Sequence, residues 1–266
     1  MLKHKFFACL EKFPINGFKK MKNRTIFTGL SRSMIAITCI MLLQAELSAW
    51  AEDPDFGGSG SSGNTRGGGT RGNCPALDPS LKPLTALIPK LKAGQATGKA
   101  IETVSARPTI WIYVPYTAPT AKRITFILKT ESGEKVYQLG LPVPTRSGIV
   151  SITVPNEQPP LEVGKSYQWK YLISCSSNGD APEEVIAQIK RVSLDPALQK
   201  QLAAAKSPLE QSRYYTKAGV WYETLTVLGN ALKQKPNDPV LRKEWSTLMN
   251  YTTVNLGDFA AQPFLP

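Results

Sequence analysis

Histidine is the rarest residue in this sequence, with His4 as the single one among 266 residues. His4 falls in the N-terminal part that we predict to be removed on export, so the mature chain is expected to hold no imidazole. That absence excludes Ser-His-Asp and Cys-His catalysis, zinc held by histidine, and acid–base chemistry by histidine. We therefore predict a protein that is not an enzyme and that uses no cofactor or metal.

The sequence also lacks an apolar run of membrane-spanning length. Met34–Leu43 is a run of ten apolar or small residues, whereas a spanning helix needs about 20. Lys and Arg precede this run, and the Ala-Trp-Ala triplet at 49–51 follows it, which together are typical of a signal peptide. We predict a cleaved leader over 1–51, with Met21 as the true start, and a protein exported to the periplasm or beyond. An uncleaved anchor is the alternative.

Cysteine is scarce, with four in the chain. Cys9 and Cys39 are expected to leave with the leader, so Cys74 and Cys175 remain in an oxidising compartment. An even pair in an exported protein predicts one disulfide between them. Two separate buried thiols are the alternative.

Acidic residues are fewer than basic ones, and the formal net charge is +12. The predicted leader accounts for +6 of this charge, because it holds eight Lys or Arg and two Glu. The remaining excess is an ordinary charge for solubility, and no basic run with interleaved aromatics is present. We therefore expect no nucleic-acid partner.

The middle of the chain is predicted to be β-structure that follows a linker. Residues 52–73 are predicted as the linker, because 57–73 contains eight Gly and three Ser and such a segment cannot form a core. Over 74–194, short β-branched and aromatic runs alternate with turn residues, and no helical pattern lies between them. The predicted strands and hairpin lie at 109–116, 122–141, 149–154, 166–176 and 183–193.

One short pattern sharpens the prediction for the β-region. Leu161, Gly164 and Tyr167 stand immediately before the aromatic strand at 166–176, at the spacing of a tyrosine corner. In immunoglobulin-like sandwiches such a tyrosine returns a hydrogen bond to the backbone upstream. We therefore predict an immunoglobulin-like or fibronectin-like antiparallel β-sandwich over 74–194.

The last part of the chain, 195–266, is predicted to be helical. Asp195, Ser207 and Asp238 each precede a proline, and a capping side chain before Pro is a helix start signal. Helices are expected at 208–218, 220–235 and 239–251. Their spacing of aromatic and small residues resembles a single tetratricopeptide-like unit, from which Pro208 departs. We predict a C-terminal helical hairpin that packs against the sandwich, or else against the repeats of a partner.

Four sequence blocks resemble a known family when they are taken in order. They are GNCPALDPSLKPLTALIP, ARPTIWIYVPY, LEVGKSYQWKYLISC and AGVWYETLTVLGNAL. Together they resemble the cyanobacterial family of domain of unknown function 928 over most of 70–258. The resemblance implies a source and an export route, and it implies no activity and no functional residue.

The aromatic residues are the best candidates for a binding surface. In the strand at 109–116, Trp111 and Tyr113 share one face, which is either an exposed platform or a face covered by the helices. The full candidate surface consists of Trp111, Tyr113, Tyr214, Tyr215 and Trp221. We predict an exported, non-catalytic binding or assembly module of the cell envelope with a protein or polysaccharide partner. Carbohydrate binding through Trp111 and Tyr113 is the alternative, followed by a hydrolase that uses carboxylates.

Overall fold

Two β-sheets followed by four helices make up the part of the chain that the structure describes. The computed structural model describes residues 53–56, 74–89, 100–178 and 181–266. The predicted leader and most of the predicted linker lie outside these residues.

Eight strands occur in the described residues. They are β1 (Thr85–Ala86), β2 (Ile101–Thr103), β3 (Thr109–Val114), β4 (Arg123–Thr130), β5 (Lys135–Leu141), β6 (Gly148–Thr153), β7 (Ser166–Ser174) and β8 (Glu183–Arg191). A three-stranded sheet has the order β1-β3-β6, and a five-stranded sheet has the order β2-β8-β7-β4-β5. The predicted hairpin is therefore confirmed as β4 and β5, and the structure places the aromatic strand, β7, beside β4 in the same sheet.

The five-stranded sheet has one buried face and one partly exposed face. Buried and half-buried residues alternate along β7 and β8, as expected for strands with one face on a core. On the inner face, Trp169 of β7 lies opposite Leu128 of β4 and Ala187 of β8. All three are almost completely buried.

One pairing differs from the antiparallel prediction. β2 runs parallel to β8, with Ile101 opposite Ile189, whereas every other ladder between named strands in the described residues is antiparallel. β2 has three residues, and after it the chain crosses to the other sheet. Since no hairpin joins β2 to β8, local turn geometry does not impose an antiparallel direction on this edge strand.

The predicted hydrogen bond of the tyrosine corner is present. The backbone N–H of Glu162 donates to the Tyr167 hydroxyl at 3.0 Å. Gly164 has a φ of +84°, a conformation that glycine adopts without steric cost. This bond fixes the turn that leads into β7.

Four helices fill the region that was predicted as a hairpin. They are α1 (Pro196–Ala204), α2 (Pro208–Lys217), α3 (Trp221–Gln234) and α4 (Pro239–Asn250), and a 3-10 helix (Gly257–Phe259) follows. Asp195, Ser207 and Asp238 accept hydrogen bonds from backbone N–H groups at the starts of α1, α2 and α4. The predicted helix starts are thus confirmed, with capping and Pro at the first position as the cause.

The helix α3 connects both sheets to the helical region. The indole of Trp111 in β3 donates to Thr226 of α3 at 3.1 Å. The indole of Trp169 in β7 donates to the Tyr222 hydroxyl of α3 at 3.3 Å. The sheets and helices consequently share one continuous apolar core. No helix in the described ranges has the length and apolar character needed to span a bilayer.

Two terminal segments complete the fold. Residues near the C-terminus extend the edge of β6, because Ile149 exchanges backbone hydrogen bonds of 2.8 Å with Pro263 and Leu265. At the other end, Asp53–Phe56 packs on the helices, with Phe56 at 3% exposure. These four residues belong to the range that was predicted as linker, and for them that prediction is wrong. The buried ring of Phe56 anchors these four residues.

Candidate functional site

The structure contains the predicted disulfide. Cys74 and Cys175 are joined, with a Cα–Cα distance of 5.0 Å, so the predicted pairing is confirmed. The bond links the chain ahead of β1 to the chain just after β7. It closes a loop with a sequence separation of 101.

The aromatic pair of β3 is not exposed. Trp111 has 1% and Tyr113 0% of its surface accessible. A Cβ atom at Gly229 of α3 would lie 2.7 Å from the Trp111 ring, so the small residue allows the helix to approach closely. Phe264 covers the same ring edge-on at 5.7 Å between centroids. The alternative of an exposed platform is therefore wrong, because α3 and the C-terminal segment cover this face.

Trp221 is also part of the interior. Its surface is fully covered, and its indole nitrogen donates to the carbonyl of Leu87 at 2.9 Å. Tyr214 and Tyr215 are half-buried on α2, and the Tyr214 hydroxyl donates to Glu210 at 3.2 Å. Of the five predicted surface residues, only these two tyrosines are partly accessible. The predicted aromatic binding surface is thus not assembled.

A buried carboxyl group escaped the sequence prediction. Glu223 lies in the first turn of α3 and is 8% exposed. Its Oε1 accepts hydrogen bonds from the Thr103 hydroxyl at 2.5 Å and from the N–H groups of Val104 at 3.1 Å and Ser105 at 2.9 Å. Its Oε2 has no partner in the described residues. The sequence signal was its position as the only acidic residue of an otherwise apolar-rich helix.

Burial is the main cause of a raised pKa at this carboxyl group. Loss of hydration raises the pKa of Glu223, and the hydrogen bonds at Oε1 oppose this shift without reversing it. The folded chain therefore binds a proton more tightly than the unfolded chain, whose carboxyl group titrates near pH 4.3. The contribution of Glu223 to stability is therefore largest below that value and declines as pH rises through the folded pKa.

We expect Glu223→Gln to remove this decline. The amide keeps an acceptor for Thr103 and the two backbone N–H groups and carries no charge that burial penalises. The variant should exceed the wild type in free energy of unfolding at pH 8, and the difference should vanish near pH 4. Urea unfolding across this pH range measures it, with the half-exposed Glu184→Gln as the control. A less stable Glu223→Gln at pH 8 would show that the ionised carboxylate stabilises the fold.

The partly exposed side of the five-stranded sheet is the most extended candidate surface. We call it the outer sheet face and define it by Ile127, Lys170, Leu172 and Ile186. Ile127 and Ile186 lie on either side of Lys170 in the register of β4, β7 and β8. All four residues are half-buried. The Lys170 ammonium lies 3.8 Å from the Glu184 carboxylate.

A polar hollow of about 160 Å³ lies at one end of this face, beside the turn between β4 and β5. Its walls carry hydroxyl, amide and carboxylate groups from Thr130, Glu131, Ser132, Gly133, Ser166, Tyr167, Gln168 and Gln188. Tyr167 is 5% exposed and presents no open ring face there. Sugar sites usually combine such polar groups with an aromatic stacking surface, so the hollow alone does not support carbohydrate binding. No acidic, cysteine or histidine cluster suited to a metal occurs in the described residues.

The family described as Domain of Unknown Function (DUF928) has a sequence model that matches residues 66–264. The chain belongs to this family. The DUF928 match includes both sheets and all four helices, so the family unit comprises the sheets together with the helices. Asp53–Phe56 lies upstream of the matched residues. No curated protein matches the chain, and membership of DUF928 assigns no activity to any residue.

Proposed function

We propose that the mature protein is an exported, non-catalytic binding or assembly module of a cyanobacterial cell envelope. Export is supported by the predicted leader and by the disulfide, since such bonds persist in oxidising compartments. The bond from Glu162 to Tyr167 supports an immunoglobulin-like relationship of the sheets. The tetratricopeptide-like relationship of the helices rests on their sequence spacing and stays part of this proposal.

The outer sheet face carries the proposal of binding. Half-exposed aliphatic side chains on both sides of Lys170 give a surface that combines apolar and charged groups. Protein–protein interfaces combine these two features. Next to this face, β5 is the terminal strand of its sheet among the described residues. Its outer edge is therefore a candidate for strand addition by a partner. We therefore propose a protein partner.

Photo-crosslinking in the native cell tests this function. A photoreactive residue at Ile127 is expected to capture one recurrent envelope protein, because Ile127 is a half-exposed residue of the outer sheet face. The same residue placed at Lys200, exposed on α1, serves as the matched control and should not capture that protein. Identical products from both positions, or none from Ile127, would refute binding through this face.

A further inference from the structure

The N-terminal segment Asp53–Phe56 occupies a groove on the helical part of the protein. One Asp53 carboxylate oxygen accepts hydrogen bonds from both the backbone N–H and the hydroxyl of Thr252. The Thr253 hydroxyl donates to the carbonyl of Pro54 at 3.0 Å. Side-chain and backbone groups of the segment are therefore both bound.

The groove also fits the aromatic end of the segment. The Phe56 ring stands edge-on to Trp221, with 4.8 Å between centroids and an angle of 79°. Gly219, whose φ is +71°, lies beneath the segment. A Cβ atom at Gly219 would lie 2.5 Å from the carbonyl oxygen of Asp55. The groove thus fits a segment with an acidic residue at its first position and a phenylalanine three positions later. Gly219 allows the backbone of the segment to lie close to the groove.

The length of chain between the segment and the rest of the protein allows the segment to bind either its own groove or that of another copy. Seventeen residues, 57–73, separate Phe56 from Cys74, and eight of them are Gly. A chain of this length spans at most roughly 60 Å. The segment is therefore not restricted by its length to the groove of its own chain.

We propose that the groove also accepts Asp53–Phe56 from a second copy of this chain, so that copies assemble by exchanging their N-terminal segments. The occupant is the one sequence that the structure shows to fit. This assembly uses the helical side of the protein, and it does not depend on the outer sheet face. It therefore goes beyond the partner binding proposed above.

Competition within one chain determines when exchange occurs. Joining a ligand to its binding site through a short stretch of chain gives an effective concentration of about 1 mM. At micromolar protein, a chain with an intact segment and an intact groove therefore binds its own segment. Exchange needs a high local concentration, or a chain whose own contact has been removed.

Two complementary variants of the full exported chain test the proposal. Phe56→Ala weakens the segment and leaves the groove intact. The double variant Thr252→Val/Thr253→Val removes two hydroxyl donors from the groove, leaves the segment intact and preserves side-chain shape. At about 200 μM, analytical ultracentrifugation should show monomers for wild type and for each variant alone. An equimolar mixture should contain a heterodimer, because one free groove then meets one free segment.

A peptide-binding experiment tests the same proposal without the double variant, in case that variant does not fold. A labelled peptide with the sequence EDPDFGG should bind Phe56→Ala about tenfold more tightly than wild type, in which the tethered segment competes. The peptide EDPDAGG should not bind. Equal dimerisation of all samples would indicate another interface and overturn the proposal. A monomeric mixture, or equal peptide affinity for both chains, would overturn it as well.

Discussion

Replacing Cys74 and Cys175 together by Ser is expected to lower the free energy of unfolding by about 4–5 kcal/mol. The bond closes a loop with a sequence separation of 101, and the entropy that such a crosslink removes from the unfolded chain corresponds to this amount. The loop includes seven of the eight strands of the described residues, so its loss affects both sheets. Urea unfolding of the wild type and the double variant measures the difference.

Reduction of the wild type provides the control for this experiment. A reductant should bring the wild type to the stability of the double variant and should leave the double variant unchanged. A difference below about 1 kcal/mol between the oxidised wild type and the double variant would contradict a stabilising role of the crosslink.

Trp111→Ala is expected to destabilise the protein by about 3–5 kcal/mol, the range for loss of a large buried aromatic side chain. The substitution opens a cavity beside Gly229 and removes the donor to Thr226. Because α3 packs on this ring, the substitution removes contacts between the three-stranded sheet and α3. Chemical unfolding gives the magnitude, and near-ultraviolet circular dichroism reports the loss of ordered aromatic packing.

Two further variants separate packing from other effects at this position. Trp111→Phe keeps an aromatic ring and should cost less than Trp111→Ala, because the remaining ring fills part of the site. Tyr214→Ala, at a half-buried position on α2, should change stability by less than about 1 kcal/mol. If Trp111→Ala left stability unchanged and altered binding of a polysaccharide, Trp111 would be a surface residue after all.

The secondary structure followed closely from local sequence patterns. The alternation in β7 is visible in the sequence because its outward residues are mostly polar and its inward ones are aromatic or aliphatic. The starts of α2 and α4 were predictable because a capping side chain followed by proline is a local signal. Tyr167 could be identified as well, since its partner Glu162 is five residues away.

Features that depend on long-range packing were not predictable from the sequence. The alternation in β3 gives two apolar faces, and whether the Trp111 face is open depends on the glycine at position 229 of a distant helix. Glu223 finds its partners on β2 and just beyond it, more than a hundred residues upstream. The segment Asp53–Phe56 is too short to carry a periodic pattern, and its burial depends on the ring of Trp221.

These differences change which surfaces are candidates for function. The buried aromatic rings hold the sheets and helices together, and the outer sheet face and the groove that holds Asp53–Phe56 are the candidate surfaces that we propose among the described residues. Both regions consist of residues whose chemistry suits protein contacts. The proposal of a binding or assembly module therefore rests on surfaces other than the aromatic one that the sequence favoured.

The N-terminal residue and the state of the two thiols, in protein purified from its own cells, test the proposed export most directly. We expect the chain to begin at Glu52 and peptide mapping without reductant to recover Cys74 linked to Cys175. A chain that still carries Met34–Leu43 and has both thiols free would contradict export, and with it the proposed place of the protein in the envelope.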